Sequence, residues 1–197
     1  MVIASHGIFT LHGFWLPNEE RGSWSDFVRS WELLRYGKAT KIDEPYSVAS
    51  EPYDKARRAE AVQLLKYEPV SLSGIQAHAV ARGFARAIEE GGYELAACSI
   101  LPTHVHLVCR RHERPVERII GHLKARATQQ LRAEGLHPFE GHLDSEGRIP
   151  SVWTHRAWKV FIDSIDDLER VIEYVEQNPL KEGKPEQHWW FVRGWEI

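Results

Sequence analysis

Residues 102–109 read PTHVHLVC. Successive side chains of an extended chain point to opposite faces. His104 and His106 therefore share one face of a strand, and Val105, Leu107 and Cys109 share the other. The apolar set takes the core side. That assignment places both imidazoles outside the core and turns the Cys109 thiol away from them. A second apolar run, Tyr93–Ile100, ends at Leu101-Pro102, so two strands follow one another with only a turn between them.

The segments around this pair complete a recognisable order. Ile3–Trp15 alternates loosely and reads as a strand ending at Leu16-Pro17. Residues 17–70 form a loop-rich insertion with a short helix around Asp26–Tyr36 and another over Ala56–Lys66. Ser71 has the chemistry of an N-cap, and Leu72, Ile75, Ala79, Phe84 and Ile88 follow at helical spacing up to Gly91-Gly92. Arg114-Pro115 opens a long helix to Glu134, with Pro115 near its first turn. Val152–Ile162 reads as an aromatic-rich strand. A last helix is capped by Asp163 or Ser164, runs through Leu168, Val171, Ile172 and Val175, and stops at Asn178-Pro179. Strand, insertion, helix, strand, strand, helix, strand, helix is a split βαβ pattern. It predicts an α+β fold, ferredoxin-like or RRM-like, with a mostly antiparallel sheet, helices on one face and one further C-terminal helix.

Composition narrows the function classes. The 197 residues fit a single domain carrying that insertion. No run of eighteen apolar residues exists, so no membrane span is expected. Two cysteines, Cys98 and Cys109, make no disulfide framework, and a cytoplasmic setting is the default. The net charge of −3 argues against non-specific coating of nucleic acid but leaves room for a local basic face. Arg110, Arg111, Arg114, Arg118, Lys124, Arg126 and Arg132 supply such a segment.

Two imidazoles at adjacent same-face positions can chelate one divalent metal, or can be two exposed histidines on a solvated strand. A metal would need a third ligand from another element. The last helix, DLERVIEYVEQNPLKEG, carries Tyr174 and Asn178 at i and i+4, on one helical face. Each has an ordinary alternative: Asn178 as a C-terminal cap, Tyr174 as a boundary residue beside the apolar stripe.

Together these pieces resemble the HUH endonuclease superfamily, and within it the single-tyrosine transposases of bacterial insertion sequences. The resemblance is carried by LPTHVHLV (101–108), WKVFIDS (158–164) and YVEQNPLKEG (174–183). GFWLPNEERGS (13–23) is similar to the opening of a longer branch, close to the transposases associated with repetitive extragenic palindromes (REP).

The resemblance implies that His104 and His106 hold a divalent cation, Mg²⁺ or Mn²⁺. A polar residue of the tyrosine helix completes the site. It falls at Asn178, where smaller relatives carry glutamine; asparagine is one methylene shorter, and Glu173 or Gln177 is the substitute. Tyr174 is the implied nucleophile. A phenol ionises only near pH 10, roughly, and needs help at neutral pH. The implied substrate is single-stranded DNA folded as a hairpin beside the cleavage site, handled by a monomer or a homodimer associated with the nucleoid. Arg110, Arg111, Arg118, Lys124, Arg126, Arg156 and Lys159 are candidates for backbone contacts, and Trp15, Trp153 and Trp158 for base stacking. Two rival readings remain open. One is a domesticated hairpin- or repeat-DNA-binding protein without transposition. The other is a metal-dependent hydrolase in which Tyr174 is structural.

Overall fold

The computed structural model describes residues 1–14 and 54–195. The expected strand end at Trp15, the helix around Asp26–Tyr36 and most of the 17–70 insertion lie outside the described residues. The chain divides into two compact units, one of Met1–Thr10 with Ser71–Ile197 and one of Leu11–Val70. The described part of the second unit holds α1 (Lys55–Gln63), capped by the Asp54 carboxylate, which accepts from the Arg57 amide at 3.0 Å.

The first unit contains β1 (Ala4–Thr10), α2 (Gly74–Gly91), β2 (Leu95–Ile100), β3 (His104–Arg110), α3 (Val116–Ala133), β4 (Trp158–Ile162) and α4 (Ile165–Lys181). The four strands form one sheet in the order β2-β3-β1-β4, and every neighbouring pair is antiparallel. This is the expected split βαβ arrangement, an α+β fold. The cap of α2 is Ser73, not Ser71. Ser73 and Gln76 form a reciprocal capping box that satisfies two orphan amides. Leu72 is instead pinned to the sheet end, its amide donating to the Pro102 carbonyl at 2.7 Å. β4 is shorter than the aromatic run suggests. Val152 and Trp153 are buried, yet Thr154 joins Thr10 through a lone backbone bond and strand pairing begins only at Trp158.

Helices α2 and α3 pack on each other and cover the face that carries Phe9, Val105 and Leu107. The Phe9 ring meets Phe84 of α2 at 6.1 Å and Trp153 at 5.5 Å. Gly83 permits the close helix crossing, because a Cβ there would stand 2.5 Å from Cα of Ala127. The opposite face is a second core, not a solvated surface. Ala4, Ala97, Val108 and Ile162 of the sheet pack with Leu168 and Val175 of α4, which lies over β2 and β3. Strands covered on both faces read as near-continuous apolar runs, which accounts for LAACSI in β2 and its complete burial.

The outer edge of β2 is closed by the tail. The Gln187 amide accepts from the Ile100 amide at 2.8 Å and donates to its carbonyl at 2.9 Å, and Arg193 donates to the Leu95 carbonyl.

Helix α4 continues through Pro179 instead of stopping before it. Proline in a helix removes one i→i−4 hydrogen bond and disfavours helical geometry at the preceding residue. Here the last turn closes beyond it: the Glu182 amide reaches the Asn178 carbonyl, and Gly183, at φ +66°, takes the left-handed position that ends the helix. The extra turn brings Glu182 over the sheet.

Candidate active site

Register places the site. In β1 against β3, Thr10 faces His104, Ile8 faces His106 and His6 faces Val108. Residues opposite one another in an antiparallel pair share a face, so His6, His104 and His106 lie on one side of the sheet. Both nominated imidazoles are buried, His104 6% and His106 4% exposed. This corrects the expectation that they stand outside a core: α4 covers them.

The rings form a connected group. His104 and His106 have centroids 5.0 Å apart, and His106 stacks on His6 at 5.3 Å and 24°. The Tyr174 ring approaches His106 edge-on at 5.6 Å and His6 at 6.1 Å. Tyr174 is 43% exposed, so its ring lies at the surface beside the buried imidazoles and not in the core. Burial lowers the His6 pKa to about 4. Burial, with the charges of His104 and His6, lowers that of His106 to about 2. At neutral pH these two imidazoles are uncharged, as ligation through a ring nitrogen requires of His106.

Helix α4 lines up three polar residues four apart along this row. Tyr174 sits over His106 and His6. Glu182 sits at the far end, its Oε1 3.8 Å from Nε2 of His104. Asn178 lies between them on the same helical face. It is buried, and its amide nitrogen has no hydrogen-bond partner. The alternatives Glu173 and Gln177 are exposed and hydrogen-bond each other at 2.9 Å. Among the described residues no three His, Cys, Asp or Glu side chains form a gathered metal site. The donors present are two imidazoles with a carboxamide and a carboxylate beside them. An orphaned buried carboxamide can present oxygen by rotation of the group. Such a mixed nitrogen and oxygen set has the donors a divalent cation requires.

Sequence reasoning missed His6, Glu182 and Lys181, whose Nζ lies 4.8 Å from the Tyr174 ring centroid. A signal for His6 existed, since the split βαβ order puts the first strand beside the third, but the register did not. Glu182 was hidden by ending the helix at Pro179.

The nominated DNA contacts separate into three groups: turned inward, paired with a carboxylate, and exposed. Lys124 is turned inward. Its ammonium donates to the Thr154 carbonyl at 3.0 Å and the Arg156 carbonyl at 3.3 Å, and burial lowers its pKa to about 8. Trp153 is core, its indole N–H donating to the Lys124 carbonyl and the Thr128 hydroxyl. Arg110 pairs with Glu94, Arg126 with Glu90 and Lys159 with Glu117. Arg111, Arg118 and Arg156 are exposed. Trp158 lies on β4 in the row of Ile8 and His106 and is partly exposed; Trp15 lies outside the described residues.

Fold and site define a class of protein: an α+β sheet with a histidine–hydrophobe–histidine strand beneath a helical tyrosine. Over about half its length the chain is similar in sequence to a REP-associated tyrosine transposase. It is 30% identical over 102 residues to a candidate REP-associated tyrosine transposase of Haemophilus influenzae, a match spanning 51% of this chain and 57% of that protein. No family model matches the chain. Among solved structures, a REP-associated tyrosine transposase bound to a REP hairpin aligns with TM-score 0.47 and 14% identity, over 92% of this chain and 68% of that one. A candidate transposase from Deinococcus radiodurans aligns with TM-score 0.38 and 12% identity, over 90% and 91%. No helix among the described residues is long and apolar enough to cross a membrane.

Proposed function

We propose that this chain is a metal-dependent endonuclease and strand transferase for single-stranded DNA, cleaving beside a hairpin through a 5′-phosphotyrosine. One domain does this work, with residues 17–70 inserted in it. The observation that carries the reading is the approach of the Tyr174 ring to His106 and His6 at 5.6 and 6.1 Å. The ring is 43% exposed, so a substrate could reach it beside the buried imidazoles.

His104, His106 and Asn178 would hold the cation, with Glu182 beside them. When bound, it withdraws charge from the scissile phosphate. Tyr174 supplies the nucleophile: its oxygen bonds to phosphorus, the bond from phosphorus to the 3′-oxygen breaks, and the proton lost by the phenol is balanced by the one gained at the 3′-hydroxyl. Attack by a second 3′-hydroxyl reverses the step and releases Tyr174. Each step exchanges one phosphodiester for another, so no nucleotide triphosphate is consumed. Exposed Arg111, Arg118 and Arg156 are the nominated residues best placed to meet DNA phosphates, and Trp158 a base.

The test is covalent trapping. Protein, Mn²⁺ and labelled single-stranded hairpins drawn from the DNA flanking the gene are mixed and run on a denaturing gel. A shifted band that Tyr174→Phe abolishes supports the reading. Tight hairpin binding with no covalent band moves it to a binding protein, and cleavage that survives Tyr174→Phe moves it to a hydrolase.

A further inference from the structure

We propose that His6 is a positioning residue for the histidine pair. It accepts the Nδ1 proton of His106 and so holds that imidazole in the tautomer whose Nε2 faces a divalent cation. The inference rests on the reading of His104 and His106 as cation ligands.

Three observations carry it. Nε2 of His6 and Nδ1 of His106 are 3.1 Å apart in a buried hydrogen bond between residues one hundred positions apart in the chain. The rings stack at 24°, so the contact fixes the plane of His106 as well as its proton. His104 is anchored in the same manner, its Nδ1 3.1 Å from the Thr103 hydroxyl. Both imidazoles are thus tied through Nδ1 to a neighbour, which leaves Nε2 of each as the nitrogen for a shared cation.

The direction of the proton follows from the chemistry. A neutral imidazole carries one N–H and one lone pair. If His106 is to donate its Nε2 lone pair, its proton resides on Nδ1 and must find an acceptor. At 4% exposure water is a poor substitute, and Nε2 of His6 is the acceptor in place. The same bond engages the His6 nitrogen nearest the pair, which makes His6 an outer partner and not a third ligand. Outer partners of this kind orient the ring and raise ligand basicity, and removing one weakens metal affinity by roughly 10–100-fold.

The experiment uses the full chain without DNA. Mn²⁺ affinity is read from the electron paramagnetic resonance of free Mn²⁺, and the tautomer of His106 from histidine ¹⁵N shifts of the wild-type protein. His6→Leu is expected to weaken Mn²⁺ binding about 10–100-fold with its thermal midpoint retained. His6→Gln, whose amide oxygen can take the place of Nε2, is expected to restore it. The wild-type spectrum is expected to show His106 protonated on Nδ1. Unchanged Mn²⁺ affinity in His6→Leu overturns the proposal, as does a His6→Gln variant as impaired as His6→Leu. Should His6→Leu fail to fold, a His106 proton on Nε2 in the wild type overturns it alone. His106→Ala separates the underlying reading: if it binds Mn²⁺ as well as wild type, the histidine pair is not the ligand set and the role of His6 falls with it.

Discussion

The buried histidines make the metal-free protein sensitive to mild acid. Unfolded, His6 and His106 titrate near the ordinary pKa of about 6.5. Folded, burial holds them at about 4 and about 2. The unfolded state therefore binds more protons below pH 6.5. The stability these groups confer is present above that pH and is lost as pH falls from 6.5 toward the folded values. At pH 5.5 each unfolded imidazole is about ten-to-one protonated while both folded ones stay neutral, which costs ~1.2 kcal/mol per group relative to pH 7, or ~2.5 kcal/mol together. Carboxylates of the unfolded chain, with ordinary values of about 4, stay ionised over this window. His12 and His137 are also lowered, chiefly by burial, and act in the same direction. The assay is urea unfolding followed by tryptophan fluorescence at pH 7 and 5.5 with a chelator present. The double variant His6→Leu/His106→Leu is expected to lose ~2.5 kcal/mol less over this interval than wild type does. An equal loss in the two proteins refutes the reasoning.

Two other substitutions probe the frame around the site. Gly83→Ala drives a Cβ to 2.5 Å from the Ala127 backbone, so α2 and α3 must separate; a cost of about 1–3 kcal/mol is expected in chemical denaturation. Gln187→Ala removes both side-chain bonds to Ile100. It is expected to cost about 1–3 kcal/mol and to speed hydrogen exchange at the Ile100 amide, while a control amide in β1 is unchanged.

The fold was legible because its signals are local. The serine cap before α2 (read two residues early, at Ser71 instead of Ser73), Pro115 at the start of α3 and the turn at Leu101-Pro102 each act within a few residues. Their order along the chain admits few topologies. The side of β3 on which His104 and His106 lie was legible too, because parity needs only an extended chain. What failed needed a neighbour. Val108 shares the histidine face and packs on Leu168 and Val175, so that face is a second core, which no inspection of β3 alone could show. Lys124 sits in a basic run, but its ammonium is turned onto the carbonyls of Thr154 and Arg156. Trp153 is an aromatic beside basic residues, as a stacking residue would be, yet it fills the space beside Phe9 and Phe84.

By itself the sequence determined the α+β order, the pairing of two imidazoles on one strand face and the alignment of Tyr174 with Asn178, since each follows from backbone periodicities of two and 3.6 residues. Tertiary structure alone decided that His6 joins His106, that Glu182 reaches His104 and that the pair is buried beneath α4. These depend on strand register and on how a helix docks, and both are set by side chains far apart in the chain, whose meeting no local period records.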